Sequence, residues 1–174
     1  MNIDFRPYFK SGSKIFDLEG IIEENKTQYL IDNLDLIFPV RYKGKIYDLN
    51  GEFLLDLDLD YAYNTQCSRC LKDMVKSIHA NLKAVLIDEK DEDDMEDDPT
   101  MEYIILDENG FSIDDFIFSG IITSMPMKVL CKETCKGLCP QCGKDLNDGP
   151  CDCEKEDFID PRFAKLKGLF KEEV

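Results

Sequence analysis

Eight cysteines are the residues in this chain best placed to do chemistry, and their spacing is not random. Six of them fall within the 23-residue run CKETCKGLCPQCGKDLNDGPCDC, as Cys131, Cys135, Cys139, Cys142, Cys151 and Cys153. Cys67 and Cys70 form a further C-x-x-C pair far upstream. A C-x-x-C turn delivers two sulfurs to one ion, and zinc favours a tetrahedron of thiolates. Gly143, directly after Cys142, permits a positive φ and so lets backbone N–H groups point at sulfur. Four thiolates around a zinc ion leave a net charge of about −2, so Lys132, Lys136 and Lys144 nearby are electrostatically apt.

Eight thiols suffice for two closed sites, so one or two structural zinc ions are expected. The compact partition places Cys139, Cys142, Cys151 and Cys153 in a local knuckle and joins Cys67 and Cys70 to Cys131 and Cys135. The second reading pairs Cys67 and Cys70 with Cys139 and Cys142 as a split ribbon. Both lack an open coordination position, which implies structure rather than hydrolysis. Thiol redox chemistry is the competing reading. A thioredoxin-type pair, however, sits in a βαβ context, whereas Cys67 and Cys70 lie between segments that read as antiparallel strands.

The elements that must position these thiols come from periodicity. Residues 14–22 and 36–49 are strand candidates, with Asn50-Gly51 as a hairpin turn signal. Leu55, Leu57, Leu59 and Tyr61 alternate with Asp56, Asp58 and Asp60, the mark of a strand with one wet face. Those aspartates read as solvated carboxylates, not as a magnesium site. Residues 72–87 continue with Met74, Ile78, Ala80, Leu82, Ala84 and Leu86 on one face, which puts Cys67 and Cys70 at a hairpin tip. His79, the single histidine, falls on the more polar face, where a structural or solvent-facing role is expected. Tyr103–Leu106 reads as a short strand. Ser112 is a helix cap with Asp115 three positions on, and Ile113, Phe116, Ile117, Gly120 and Ile121 recur at helical spacing until Pro126. Asp160-Pro161 opens a terminal amphipathic helix carrying Phe163, Leu166, Leu169 and Phe170.

The expected fold class is therefore α+β: an antiparallel β-sheet body with a packed helix, then a zinc knuckle and a short helix. Residues 1–126 form the body, with 88–99 as an acidic flexible loop, and 127–174 form the cysteine-rich module and terminal helix.

Charge and hydropathy narrow the function classes. Of the net charge of −16, half sits in DEKDEDDMEDD at 88–98. Such a run repels itself and stays solvated. An acidic chain is a poor general nucleic-acid binder, because phosphate contacts need clustered Lys and Arg. Arg41, Lys43 and Lys45, and Lys165, Lys167 and Lys171, are the modest basic groups outside the cysteine segment. No apolar run is long enough to span a membrane, and the N-terminal MNIDFRPYFKSGSKIF has no signal-peptide pattern. A cytoplasmic, reducing location is expected, in which thiols persist as thiols.

Taken together, CSRCL after a β run, CKGLCPQCGKDLN, CDC and Asp160-Pro161-Arg162 with a short helix resemble the bacterial YceD family, in its Firmicutes-type branch. The likeness covers most of the chain, from near Ile15 to the terminal helix. It implies a ribosome-biogenesis factor supporting accumulation or processing of 23S (large-subunit) rRNA. By that resemblance the partners would be the large-subunit rRNA precursor or a ribosomal protein, with no membrane and no small-molecule substrate. The family's motif cysteines correspond to Cys67 and Cys70, with Arg69 between them. No paired-carboxylate, nucleophile-elbow or phosphate-loop arrangement is visible, so a non-catalytic protein is expected. A zinc-stapled interaction adaptor without a ribosomal role is the alternative reading.

Overall fold

The computed structural model describes residues 1–10, 12–25, 34–49, 51–88 and 102–153. The predicted terminal helix, its Lys165, Lys167 and Lys171, and nearly all of the acidic run lie outside these residues, as does Asn50 of the predicted turn. Gly51 is described, and its φ of 107° is the left-handed value that such a turn requires.

Five strands make the main sheet, in the order β2-β3-β4-β5-β6. They are β2 (Ile15–Ile22), β3 (Leu36–Asp48), β4 (Phe53–Gln66), β5 (Asp73–Asp88) and β6 (Glu102–Leu106). The alternation read in the sequence sets the pleat. Leu55, Leu57 and Leu59 are fully buried, whereas Asp58 and Asp60 face outward. Each such leucine contributes about 1.5–3 kcal/mol through burial. A register slip of one residue would drive the aspartates inward, so the pattern fixes the pairing.

On the core face Tyr42 lies opposite Leu59 and Ile46 opposite Leu55, while Ala84 lies opposite Leu55 from the other side. On the wet face Arg41, Lys43 and Lys45 lie opposite Asp60, Asp58 and Asp56. Opposite charges placed across strands stabilise the register modestly. Between Ile37 and Arg41 the register shifts, beside a cis Phe38–Pro39 peptide.

The sheet is mixed rather than purely antiparallel. β6 runs parallel to β5, with Ala84 opposite Glu102 and Asp88 opposite Leu106. A parallel neighbour needs a crossover connection of roughly a dozen residues or more, and the 13 residues between these strands in sequence provide that length.

A small second sheet pairs β1 (Asn2–Ile3) with β7 (Phe111–Ser112), and a short helix α1 (Arg6–Phe9) follows β1. Phe5 is fully buried in this corner against Phe53 and Phe111. Helix α2 (Ile113–Ser124) begins at the predicted cap: Ser112 Oγ accepts from the Asp115 N–H at 3.3 Å. Its buried side packs on the sheet, and the Tyr61 hydroxyl lies 2.9 Å from Ser124 Oγ. Among the described residues no helix is long and apolar enough to cross a membrane.

Candidate metal centres

The long β4–β5 hairpin carries Cys67 and Cys70 to its tip. Gln66 pairs with Asp73, and within the turn the Cys67 N–H donates to Lys72 O at 2.9 Å and the Leu71 N–H to Cys67 O at 2.9 Å. Leu71 takes a φ of 57°, which is unusual for a branched side chain and closes the knuckle directly after Cys70. The segment after α2 then returns to this tip. Ser68 N–H donates to Val129 O at 2.8 Å, and Leu138 N–H donates to Arg69 O at 3.2 Å.

These contacts gather the sulfurs of Cys67, Cys70, Cys131 and Cys135 within 4.8 Å of one another, and those of Cys139, Cys142, Cys151 and Cys153 likewise. Of the two groupings the spacing allowed, the compact one is the arrangement the structure adopts. All eight are free thiols.

The geometry suits a metal. A tetrahedron with metal–sulfur bonds of about 2.3 Å has edges of about 3.8 Å. Cys67 Sγ lies 3.8 Å from Cys135 Sγ, and Cys70 Sγ lies 3.7 Å from Cys131 Sγ. Either cluster could therefore hold a metal ion. The donor set is all sulfur, which selects for soft or borderline ions over magnesium or calcium.

Electrostatics around the sulfurs prepare the sites. The N–H groups of Cys70 and Cys131 hold the Cys67 thiol down to about 6. In the other cluster the N–H groups of Cys142 and Gln141 hold Cys139 down to about 6. Their neighbours move the opposite way. Desolvation and then the adjoining Cys135 sulfur push Cys131 up to about 12, and the Cys142 sulfur followed by desolvation pushes Cys153 up to about 12. In the first cluster Cys67 and Cys135 are lowered while Cys70 and Cys131 are raised, and in the second Cys139 is lowered while Cys153 is raised, so a cation is needed before all four sulfurs of a cluster can carry charge.

The two clusters differ in setting. Cys67 and Cys135 are buried with Cys70 in a small apolar cluster with Met74, Leu130 and Leu138, of which Met74 also packs against the main core. In the second cluster Cys142 is exposed and Cys151 and Cys153 are half-buried. Gly143 has the positive φ the motif implied, 73°, but its N–H donates to Cys139 O at 2.9 Å rather than to a sulfur, and so closes the knuckle. Lys144 Nζ donates to Pro150 O at 2.7 Å, tying the ends of that loop together.

Other singled-out residues do not join these centres. His79 is exposed on the wet face, with Nδ1 2.8 Å from Asp60 Oδ1, and Asn81 donates to Asp56 and Asp58. Lys43 and Lys45 are flanked by carboxylates on both sides, Asp58 and Asp56 on β4 and Glu19 and Asp17 on β2, while Arg41 lies between Asp60 on β4 and Ile21 on β2.

Sequence reasoning missed Ser68, which bonds the returning chain, and Asn147, whose Nδ2 donates to Cys135 Sγ at 3.5 Å. An Asn in Asp-Leu-Asn-Asp-Gly reads as a turn residue. Nothing in that spacing distinguishes a turn amide from a sulfur ligand's hydrogen-bond donor.

A family model described as "Large ribosomal RNA subunit accumulation protein YceD" matches residues 55–170, a span that takes in all eight cysteines. The uncharacterized protein YlbN of Bacillus subtilis (strain 168) is 28% identical over 159 residues, covering 91% of this chain and 90% of the relative. The uncharacterized protein Rv2926c of Mycobacterium tuberculosis (strain ATCC 25618 / H37Rv) is 29% identical over 103 residues, 58% of this chain and 47% of the relative. No solved structure matches.

Proposed function

This chain belongs to the YceD family, and from that membership we propose that it is a cytoplasmic ribosome-biogenesis factor supporting accumulation of 23S rRNA. The family match over residues 55–170 is the observation that carries the reading. In this reading the protein is not an enzyme. Each sulfur cluster holds one structural zinc ion, with four thiolates filling the coordination sphere and leaving no position for a substrate or an activated water. Zinc then fastens the 127–153 segment to the tip of the β4–β5 hairpin and fixes a surface for docking. Thiol redox chemistry fits less well, because Cys67 and Cys70 lie between antiparallel strands rather than at the start of a helix.

The partner is a large-subunit rRNA precursor or a ribosomal protein, and the charge favours the protein. A chain with net charge −16 repels phosphate at long range. The basic row on β3 is bordered by carboxylates on both neighbouring strands. A basic ribosomal protein meets neither obstacle.

Depletion of the protein, followed by gradient sedimentation and analysis of 23S ends, tests this. A reduced 50S fraction with accumulated 23S precursor is expected, and an unchanged ribosome profile would exclude the ribosomal role. Affinity capture of the tagged chain, with identification of RNA and protein, separates the two partner classes.

A further inference from the structure

The two sulfur clusters are joined by a side chain that belongs to neither. Asn147 lies in the loop between Cys142 and Cys151, so the second cluster governs its position. Its Nδ2 nevertheless reaches Cys135 Sγ of the first cluster at 3.5 Å. Its Oδ1 accepts from the Lys136 N–H at 2.9 Å, which grips the residue next to that same cysteine. Asp145 Oδ1 holds Asn147 in place, accepting from its backbone N–H at 2.8 Å and from Nδ2 at 2.6 Å.

Backbone contacts run the same way. The Leu146 N–H donates to Gly137 O at 2.9 Å, and Leu138 bridges to Asp145. The loop of the second cluster is thus stitched along residues 135–138, the short link between the clusters. A hydrogen bond to a thiolate favours its charged form. A sulfur-ligated zinc site carries net negative charge, so a donor on one ligand strengthens that site.

We propose that the two clusters load metal as a coupled pair. Asn147 is the positioning residue through which filling of the Cys139/Cys142/Cys151/Cys153 cluster raises metal affinity at Cys67/Cys70/Cys131/Cys135. The inference rests on the metal-binding reading given under Proposed function. Its consequence is a latch in which the cluster with one buried cysteine, Cys139, controls the more buried cluster, which has three, Cys67, Cys70 and Cys135. By linkage the coupling is reciprocal, and its size is roughly tenfold, within the usual range for coupled sites.

The test uses the full chain with Zn²⁺ and ¹¹³Cd²⁺. Chelator competition gives affinities, and ¹¹³Cd NMR gives each sulfur cluster its own resonance. Replacing Cys142 and Cys151 by Ser should weaken the buried cluster roughly tenfold. Asn147→Asp keeps the Oδ1 acceptor but removes the donor. It should weaken the buried cluster similarly and shift its ¹¹³Cd resonance, with Asn147→Ser restoring part of both. In the Cys142→Ser/Cys151→Ser background, Asn147→Asp should add little. Unchanged affinity of the more buried cluster after loss of the other overturns the coupling. An equal effect of Asn147→Asp in both backgrounds overturns the role of Asn147. Wild-type protein that binds neither ion overturns the metal reading itself, a result distinct from two independent sites. Circular dichroism of the sheet identifies any variant that has failed to fold, and Asn147→Ser then supplies the comparison.

Discussion

Ser68 and Val129 hold each other by two hydrogen bonds: the Ser68 N–H donates to Val129 O at 2.8 Å, and the Val129 N–H donates to Ser68 Oγ at 3.2 Å. One residue sits inside the C-x-x-C turn and the other two positions before Cys131, so this pairing brings the two halves of the first cluster together. Ser68→Ala keeps the first bond and leaves the part-buried Val129 N–H without its side-chain partner. A loss of about 0.5–1.5 kcal/mol in denaturant unfolding is expected, with metal stoichiometry unchanged.

Arg69 acts on the same joint from the other side. Its Nη1 donates to Cys135 O at 2.7 Å, and its own carbonyl accepts from the Leu138 N–H. Gly137 makes this close approach possible: its φ is 76°, and a Cβ added there would lie only 3.0 Å from Arg69 O. Arg69→Ala should cost about 1.5–3 kcal/mol, because a charged donor is lost from a part-buried contact. The thermal midpoint should fall, and chelator should remove metal from the first cluster faster. Unaltered metal release would show that the guanidinium has no part in closing the clasp.

Gly120 in α2 faces Leu82 of β5, and a methyl group at that position would overlap the leucine side chain. Gly120→Ala gains helix propensity of about 1 kcal/mol, but overpacking costs typically about 1–3 kcal/mol. A net destabilisation is expected in chemical denaturation. Combining it with Leu82→Val should recover part of the loss, since the contact is between the far end of one side chain and the added methyl. Additive losses in the pair would place the strain elsewhere.

β4 and β5 were legible in the linear chain because each has one dry and one wet face, and alternation such as Leu57-Asp58-Leu59 records that directly. The start of α2 was legible because Ser112 competes for the Asp115 N–H locally. The parallel placement of β6 was not, since a five-residue strand carries no mark of its direction. The two-residue pairing of β1 with β7 is too short for periodicity to register. For the cysteines, spacing named the pairs. Which pair meets which depends on Ser68, Arg69 and Val129, three residues whose types announce nothing about sulfur.

His79 and Asp60 provide a pH signature on the wet face. The Asp60 carboxylate, hydrogen-bonded to the ring, raises the histidine above its ordinary value of 6.5. A group whose folded value is raised adds stability that is fully present below the unfolded value and is lost as pH rises through the folded one. The stabilising effect should thus be fully present below about pH 6.5 and be lost only as pH rises from there through the raised folded value. Asp60→Asn should return the imidazole toward its ordinary titration, followed by NMR, and remove that step from the melting-temperature profile, so that it shows in the difference between the two proteins. Identical profiles for the two proteins would mean the contact is without energetic weight, as many exposed pairs are.

Removing metal should loosen one end of the molecule and spare the other. The first cluster has its own apolar surroundings, with Met74, Leu130 and Leu138, while Leu55, Leu57, Phe118 and Ile121 belong to the main core under α2. Binding of zinc to four thiolates is worth on the order of 10 kcal/mol at neutral pH, far more than a cluster of three partly buried side chains supplies. Chelation should therefore free residues 127–153 and the hairpin tip while the sheet and α2 remain folded. Amide exchange measured before and after chelation reads this directly: Cys67, Arg69, Leu71, Leu138 and Cys139 should lose protection, and Leu55 to Leu59 should keep it. Acidification should produce the same pattern, because protons compete for sulfurs such as Cys67 and Cys139, whose thiols are held down to about 6. Uniform protection in both states would mean that the hydrogen bonds of Ser68, Arg69 and Leu138 hold the joint without any ion.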